Sequence, residues 1–220
     1  VRQLLIMRAE LADIERALEG QDEATVSAEK SYVSLPGGDE SGVYLALDFG
    51  GTNVRASRVR LLGRHCYIIE KKVCQPLRLP GQYDYLSPAA TAEGLFDFLA
   101  RLVGQVAGKD TIYKLGHTFS FAMQQECLKD ARLLSWSKEI AVPGVEGQLI
   151  NQLLEQALAR QGLTNIEPSA LVNDTTALLL SAAYTMERVR MGVVCGTGFN
   201  ACYYEPAWDM IVNLEAGEYG

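Results

Sequence analysis

Asp48 is followed by Phe49-Gly50-Gly51-Thr52-Asn53, so the apolar run Leu45-Ala46-Leu47 delivers one carboxylate to a turn of two glycines and a polar pair. Glycines leave backbone N–H groups open to an anion that a Cβ would hold off. An aspartate beside such a turn repels a bare phosphate but suits one carried in with a divalent cation. The same residues would also satisfy an ordinary β-hairpin turn. A second turn, Gly196-Thr197-Gly198, lies between two further strand-like runs and again sets a threonine hydroxyl beside exposed backbone donors. Two such hairpins facing each other across a cleft would clamp a polyphosphate from both sides.

Asn173-Asp174 ends an apolar strand, the place where open α/β sheets put their ligand crevices. An alcohol attacking phosphorus must lose its proton, and a positioned carboxylate such as Asp174 can accept it. Asp174 can equally cap the helix that follows, and the two roles are compatible. Leu115-Gly116-His117-Thr118-Phe119-Ser120-Phe121 carries hydroxyls on a strand end, where edge filler is the plain alternative. His117 has no carboxylate near it in sequence and reads as a satisfied, half-buried histidine. Trp136-Ser137-Lys138 could offer a hydroxyl and a cation to a polyol. Glu215, in Asn213-Leu214-Glu215, could take hydrogen bonds from two sugar hydroxyls or be an ordinary surface residue.

The elements that must hold these groups follow from periodicity. Residues 2–19 read as a helix with Leu4, Met7, Leu11, Ile14 and Leu18 on one stripe, and Gly20 stops it. Residues 21–42 turn polar and read as a connector through Pro36-Gly37-Gly38-Asp39. Strands are expected at 43–49, 54–62 and 65–74, joined by gaps short enough for antiparallel hairpins. A helix around Leu95–Val106, a strand at 112–121, a helix at 146–161 capped by Gly162, and a strand at 169–173 come next. Residues 176–189 are apolar nearly all round, which predicts a buried helix. Residues 191–195 and 200–205 make a further hairpin, as though the opening pattern began again. This β-β-β-α-β-α order predicts a mixed sheet covered by helices.

Composition narrows the partners. The 220 residues are 48% hydrophobic and 21% charged, ordinary for a globular protein with a core. A formal net charge of −7 excludes a general nucleic-acid or anionic-membrane binder, so a polyanionic substrate needs local donors or a metal. The five cysteines have no C-x-x-C spacing, which indicates neither a disulfide framework nor a zinc site and points to a reducing, cytoplasmic location. No run is long enough for a membrane span, and no signal-peptide layout opens the chain. The chain begins at Val1 rather than Met, which points to an N-terminus that is missing.

Taken together and in this order, the motifs closely resemble the hexokinase family of sugar kinases. Leu45–Arg55 resembles that family's first phosphate motif, Leu115–Phe121 its sugar segment, and Leu134–Lys138 the neighbouring loop. Val172–Thr175 is similar to its catalytic segment, Gly196–Tyr203 to its second phosphate motif, and Asn213–Gly220 to its next sugar-contact segment. The resemblance implies an α/β fold of the ribonuclease-H-like, actin-like ATPase kind, with two domains that close on substrate. It implies ATP- and Mg²⁺-dependent phosphorylation of a hexose, glucose-like, at the 6-hydroxyl, as in glycolysis.

Residue by residue, the resemblance makes Asp174 the general base, assisted by Lys138, with Arg55 balancing transition-state charge. Ser120, Ser137, Lys138, Asn173, Asp174, Asn200 and Glu215 become sugar contacts. Asp48 stands on the metal side, and Gly50, Gly51, Thr52, Asn53, Gly196, Thr197 and Gly198 hold phosphates. The chain departs from the family pattern at His117, Ala122, Glu139-Ile140, Phe199 and Ala216, where phenylalanine, proline, Gly-Phe, a small polar residue and tryptophan are usual. None of these removes a reacting group. The loss of the indole at Ala216 is expected to enlarge its surroundings. Four segments are expected: an N-terminal helix (1–20), a connector (21–42), a small domain (43–174) and the start of a large one (175–220). Family members are about twice this long, so the chain is expected to be an N-terminal portion that lacks ATP turnover alone. Two other classes remain: a non-catalytic sugar-binding regulator of the same fold, and an actin-like or chaperone-type ATPase.

Overall fold

The computed structural model describes residues 14, 16–17, 28–109, 111–137, 139–195 and 199–215. They fall into two compact units, Pro36–Asp174 and Val1–Leu35 with Thr175–Gly220. Most of the helix expected at 2–19 lies outside the described residues; Ile14, Arg16 and Ala17 are helical.

The first unit is built on a five-stranded mixed sheet. β2 (Ser41–Phe49), β3 (Asn53–Gly63) and β4 (Cys66–Pro76) form the expected antiparallel hairpins, and β7 (Tyr113–Phe119) and β10 (Ile166–Val172) run parallel to β2 in the order β10-β7-β2-β3-β4. Alternation fixes which face is covered: Leu45, Leu47 and Phe49 of β2, and Tyr113, Leu115, His117 and Phe119 of β7, are all buried. Two helices join this core. Helix α1 (Ala92–Val106) is capped by Thr91 Oγ1, which accepts from the Gly94 N–H at 3.1 Å, and buries Leu95, Phe96, Leu99 and Val103. Helix α2 (Ile150–Arg160) packs on α1 and is tied to it by Arg160, whose guanidinium donates to Asp97 at 2.7 and 2.9 Å.

Helix α2 begins four residues later than its periodicity predicts. Gly147 has φ +77°, which breaks helical backbone. The first turn is then capped from a distance, because the Asp130 carboxylate accepts from the N–H groups of Asn151 and Gln152 at 2.8 and 3.0 Å. Asp130 begins the second strand of a hairpin that the periodicity does not show, β8 (Ala122–Cys127) with β9 (Asp130–Ser135). The polar run Gln124-Gln125-Glu126 masks it. Short pairs also form at β5 (Arg78–Leu79) and β6 (Tyr83–Asp84).

The second unit is a four-stranded antiparallel sheet, β1 (Glu29–Lys30), β13 (Met210–Asn213), β12 (Phe199–Glu205) and β11 (Met191–Cys195), in that spatial order. Thus a strand lies within the segment whose polarity reads as a connector. Helix α3 (Asp174–Thr185) is shorter than expected and only half buried: Thr175, Thr176, Leu179, Ala183 and Tyr184 face inward, while Leu178 is exposed. Leu179 packs with Cys202 and Ile211 on one face of the sheet.

His117 also departs from expectation, being fully buried and only half satisfied. Its Nδ1 lies 2.9 Å from Asn151 Oδ1, and its Nε2 has no hydrogen-bond partner among the described residues. Burial lowers its pKa from 6.5 to about 4, against the opposing hydrogen bond. A base whose folded pKa is depressed contributes stability above its unfolded pKa and loses it as pH falls through the folded value. Replacing His117 by Phe is therefore expected to make the protein gain stability relative to wild type as pH falls from 6.5 to about 4. Urea unfolding of both proteins across that range measures the difference, and a constant difference would show that His117 takes up its proton as readily in the fold as in the unfolded chain.

Candidate functional site

Within the 36–174 unit, three parallel strands end together, and each delivers predicted site residues. The register aligns Asp48 of β2, Thr118 of β7 and Val172 of β10 in one row. One or two residues further on come Gly50, Ser120 and Asn173-Asp174, all at carboxyl ends of the strands. Ser120 is anchored there by its N–H, which donates to Phe49 C=O at 3.4 Å. Asn173 is buried, and Asp174 is the first residue of α3.

An aromatic cluster fixes these strand ends. Phe49, Phe119, Phe121 and Trp136 meet in tilted and edge-to-face pairs with ring centroids 4.8 to 6.1 Å apart. The Trp136 indole N–H donates to Val142 C=O at 2.8 Å, which sets the ring's orientation. Each ring is next in sequence to a predicted site residue: Phe49 to Asp48 and Gly50, Phe119 and Phe121 to Ser120, Trp136 to Ser137. Successive side chains on extended backbone point opposite ways, so burying the rings turns their polar neighbours outward. Ser137 is exposed, while Asp48 and Ser120 are part-buried. The alternation of these rings with the polar positions is the sequence signal that marks them.

Asp48 is joined to Arg55 of β3 by an ion pair of 2.9 Å, with both side chains well exposed. Between them the chain turns at Gly50, whose N–H donates to Asn53 C=O at 3.3 Å. A Cβ on Gly50 would meet only Asn53 O, at 3.5 Å, so nothing inside the fold forbids a side chain there. What a side chain would remove is the space over the loop. Thr52 C=O accepts from Leu77 N–H at 2.9 Å, which pins the turn to the segment after β4.

In the other unit, Asn200 and Glu215 come together around Asn213. Asn200 Nδ2 donates to Asn213 Oδ1 at 3.0 Å and to Glu215 Oε1 at 3.3 Å, and Asn213 Nδ2 donates to Glu215 Oε1 at 2.6 Å. Thr175, the second residue of α3, donates its hydroxyl to Asn213 Oδ1 at 2.8 Å. Glu215 holds φ +42°, left-handed backbone that a non-glycine residue adopts at a cost, and such strain concentrates at functional sites. Asn213 and Glu29 are members of this cluster that the sequence did not single out. Lys138, Gly196, Thr197 and Gly198 lie outside the described residues. Among the described residues no group of three or more His, Cys, Asp or Glu side chains gathers to hold a resident metal ion, and no helix is long and apolar enough to cross a membrane. The five cysteines are free thiols, four of them exposed.

The mixed sheet with helices and the second antiparallel meander define a ribonuclease-H-like fold of the actin-like ATPase type. The family model for hexokinase matches residues 2–184. The chain belongs to the hexokinase family. It is 36% identical over 217 residues to hexokinase-1 of Oryza sativa subsp. japonica, covering 90% of this chain and 43% of that protein. A hexokinase crystal structure superposes with a TM-score of 0.82 at 35% identity, over 96% of this chain and 52% of that one. The hexokinase of Schistosoma mansoni in complex with glucose gives 0.76 at 29% identity, over 94% and 51%. The chain thus spans about half the length, or less, of these relatives.

The ring cluster should behave as core. Phe119→Ala is expected to cost about 3–5 kcal/mol in chemical denaturation. An exposed-position control such as Leu134→Ala should stay within about 0.5 kcal/mol.

Proposed function

We propose that the whole protein phosphorylates a hexose, glucose-like, at its 6-hydroxyl using ATP, and that this chain supplies the N-terminal small domain (43–174) and the first part of a large one (175–220). The observation that carries the reading is the convergence of Asp48, Ser120 and Asn173-Asp174 at the carboxyl ends of three adjacent parallel strands. Nothing in strand formation requires polar residues at all three ends, whereas a crevice there needs them.

On this reading Asp174, the first residue of α3, accepts the proton of the attacking hydroxyl. Ser120, Ser137, Asn173, Asn200 and Glu215 bind sugar hydroxyls, and Lys138 adds a cation both to the sugar and to the developing charge. The open space over Gly50 lets phosphate oxygens approach the backbone of Gly50, Gly51, Thr52 and Asn53, and Gly196, Thr197 and Gly198 do the same from the second hairpin. Arg55 neutralises transition-state charge while steering Asp48. An exposed carboxylate with no cluster of further acidic, histidine or cysteine side chains among the described residues fits a Mg²⁺ that arrives on the nucleotide rather than a resident ion. Asp48 would hold that ion, which when bound offsets charge on the phosphates. The free thiols suit a reducing compartment such as the cytosol.

In the full-length protein, Asp174→Ala is expected to lower kcat for glucose phosphorylation by about 10² to 10⁴-fold, the range of general-base catalysis. Glucose binding, followed by intrinsic fluorescence or calorimetry, should persist. A variant that keeps wild-type turnover would remove Asp174 from the mechanism. A wild-type protein that binds sugar without turnover would instead be a sugar-binding regulator.

A further inference from the structure

The Asn213 amide is saturated. Its Oδ1 accepts from Thr175 Oγ1 at 2.8 Å and from Asn200 Nδ2 at 3.0 Å. Its Nδ2 donates one hydrogen to Glu215 Oε1 at 2.6 Å and the other to Glu29 Oε2 at 3.3 Å. An amide has two donor hydrogens and two acceptor sites on oxygen, so all four places are filled and each partner has the right polarity. Turning the amide over would set its NH₂ against the Asn200 NH₂ and its oxygen against the Glu215 carboxyl group. Asn213 is 3% exposed, so water offers little substitute.

Glu29 reaches this amide from the far end of the sequence. It sits on β1 directly opposite Asn213, and Cys202 of β12 completes the same row. Lys30, the next residue, turns to the other face, where its ammonium lies 4.6 Å from the centre of the Trp208 ring. The groups that face Glu29 are therefore Asn213 and Cys202 in the row, Glu215 from the segment after β13, and through Asn213 the Thr175 hydroxyl of α3. Cys202 Sγ is engaged with Thr175 C=O at 3.1 Å. Glu215 is the charge that acts on Glu29 among the described residues, and it is of like sign.

Two carboxyl groups on one NH₂ group, in a partly buried place, cannot both ionise without repulsion. We infer that Glu29 is a positioning residue for the sugar-contact set: in its protonated form it holds Asn213 in the one orientation that fixes Asn200 and Glu215, and it leaves the negative charge to Glu215. This inference rests on the proposed role of Asn200 and Glu215 as sugar contacts. A neutral carboxyl still accepts the Asn213 hydrogen through its carbonyl oxygen. An ionised Glu29 would draw Asn213 towards itself, loosen the 2.6 Å bond to Glu215 and add a like charge beside it. Sugar affinity should then fall as Glu29 loses its proton. Desolvation first, then the Glu215 charge, raises the Glu29 pKa from 4.5 to about 7, in spite of the Asn213 hydrogen bond, which works the other way. The transition therefore falls near neutral pH.

The full-length protein, wild type and Glu29→Gln, is followed by carbon NMR of the glutamate carboxyls between pH 4 and 9 and by the KM for glucose between pH 6 and 8.5. The Glu29 resonance is expected to titrate near 7; titration near 4.5 overturns the inference whether or not the protein phosphorylates sugar. Wild-type KM is expected to rise about fivefold across neutrality, the weakening of one charge-assisted hydrogen bond. Glu29→Gln, which keeps the acceptor and cannot ionise, should hold KM at the low-pH wild-type value throughout. Glu29→Leu, which lacks the acceptor, should show raised KM at every pH. A Glu29→Gln protein with the wild-type KM profile would overturn the inference. Absence of any turnover in the wild type would count against the proposed function, and the carboxyl titration would still decide the role of Glu29.

Discussion

The packing of four aromatic rings at the carboxyl ends of β2, β7 and β9 is the constraint from which the candidate site in the 36–174 unit follows. Phe49 and Phe119 lie level in the β2–β7 register, and Phe121 and Trp136 close over them from the hairpin β8–β9. Phe49 and Phe119 are fully buried, so the backbone on either side of them has little freedom to twist. Asp48, Ser120 and Ser137 are consequently held outward by a core that they do not belong to. Preorganisation of this kind needs no hydrogen bonds among the site residues themselves. The cost of placing polar groups is met by burying the rings between them.

That arrangement explains why much of the site was legible in the sequence. Asp48-Phe49-Gly50-Gly51 and Phe119-Ser120-Phe121 carry their geometry locally, because a period of two separates inward rings from outward polar groups wherever a strand persists. The hairpins β2–β3–β4 were equally plain, since short turns leave antiparallel pairing as the natural outcome. The β8–β9 hairpin was not legible. Gln124, Gln125 and Glu126 interrupt the alternation, and Gln125 is polar because its side chain crosses to Leu171 C=O at 2.8 Å. The start of α2 was misplaced for a related reason. Its cap is Asp130, more than twenty residues upstream, and no local signal could announce it.

Helix α3 shows the opposite error. Its sequence is apolar nearly all round, which predicts burial on every side, yet Leu178 faces solvent while Thr175 and Thr176 are fully buried. The inward Thr175 follows from what lies opposite it: its hydroxyl meets Asn213 and its carbonyl the Cys202 thiol, whereas the buried Thr176 hydroxyl has no hydrogen-bond partner among the described residues. Apolar count alone cannot distinguish a helix that packs on hydrocarbon from one whose first turn must answer an amide.

The residues that sequence reasoning misjudged most share one property: their polar partner is remote in the chain. His117 reads as a satisfied, half-buried histidine, yet it is fully buried and its partner is Asn151, 34 positions away. Glu29 was passed over inside a polar stretch, yet its partner is Asn213, 184 positions away. A polar residue whose partner is local, such as Thr91 or Asp48, declares its role through spacing. One whose partner is distant looks like solvent-facing filler, because the cost of burying it is offset by a group that no local window contains. Turns, strand faces and aromatic alternation are therefore the local part of this molecule. The buried amide of Asn213 is the non-local part, and it draws together the N-terminal segment, the start of α3 and the last described residues in a single hydrogen-bonding centre.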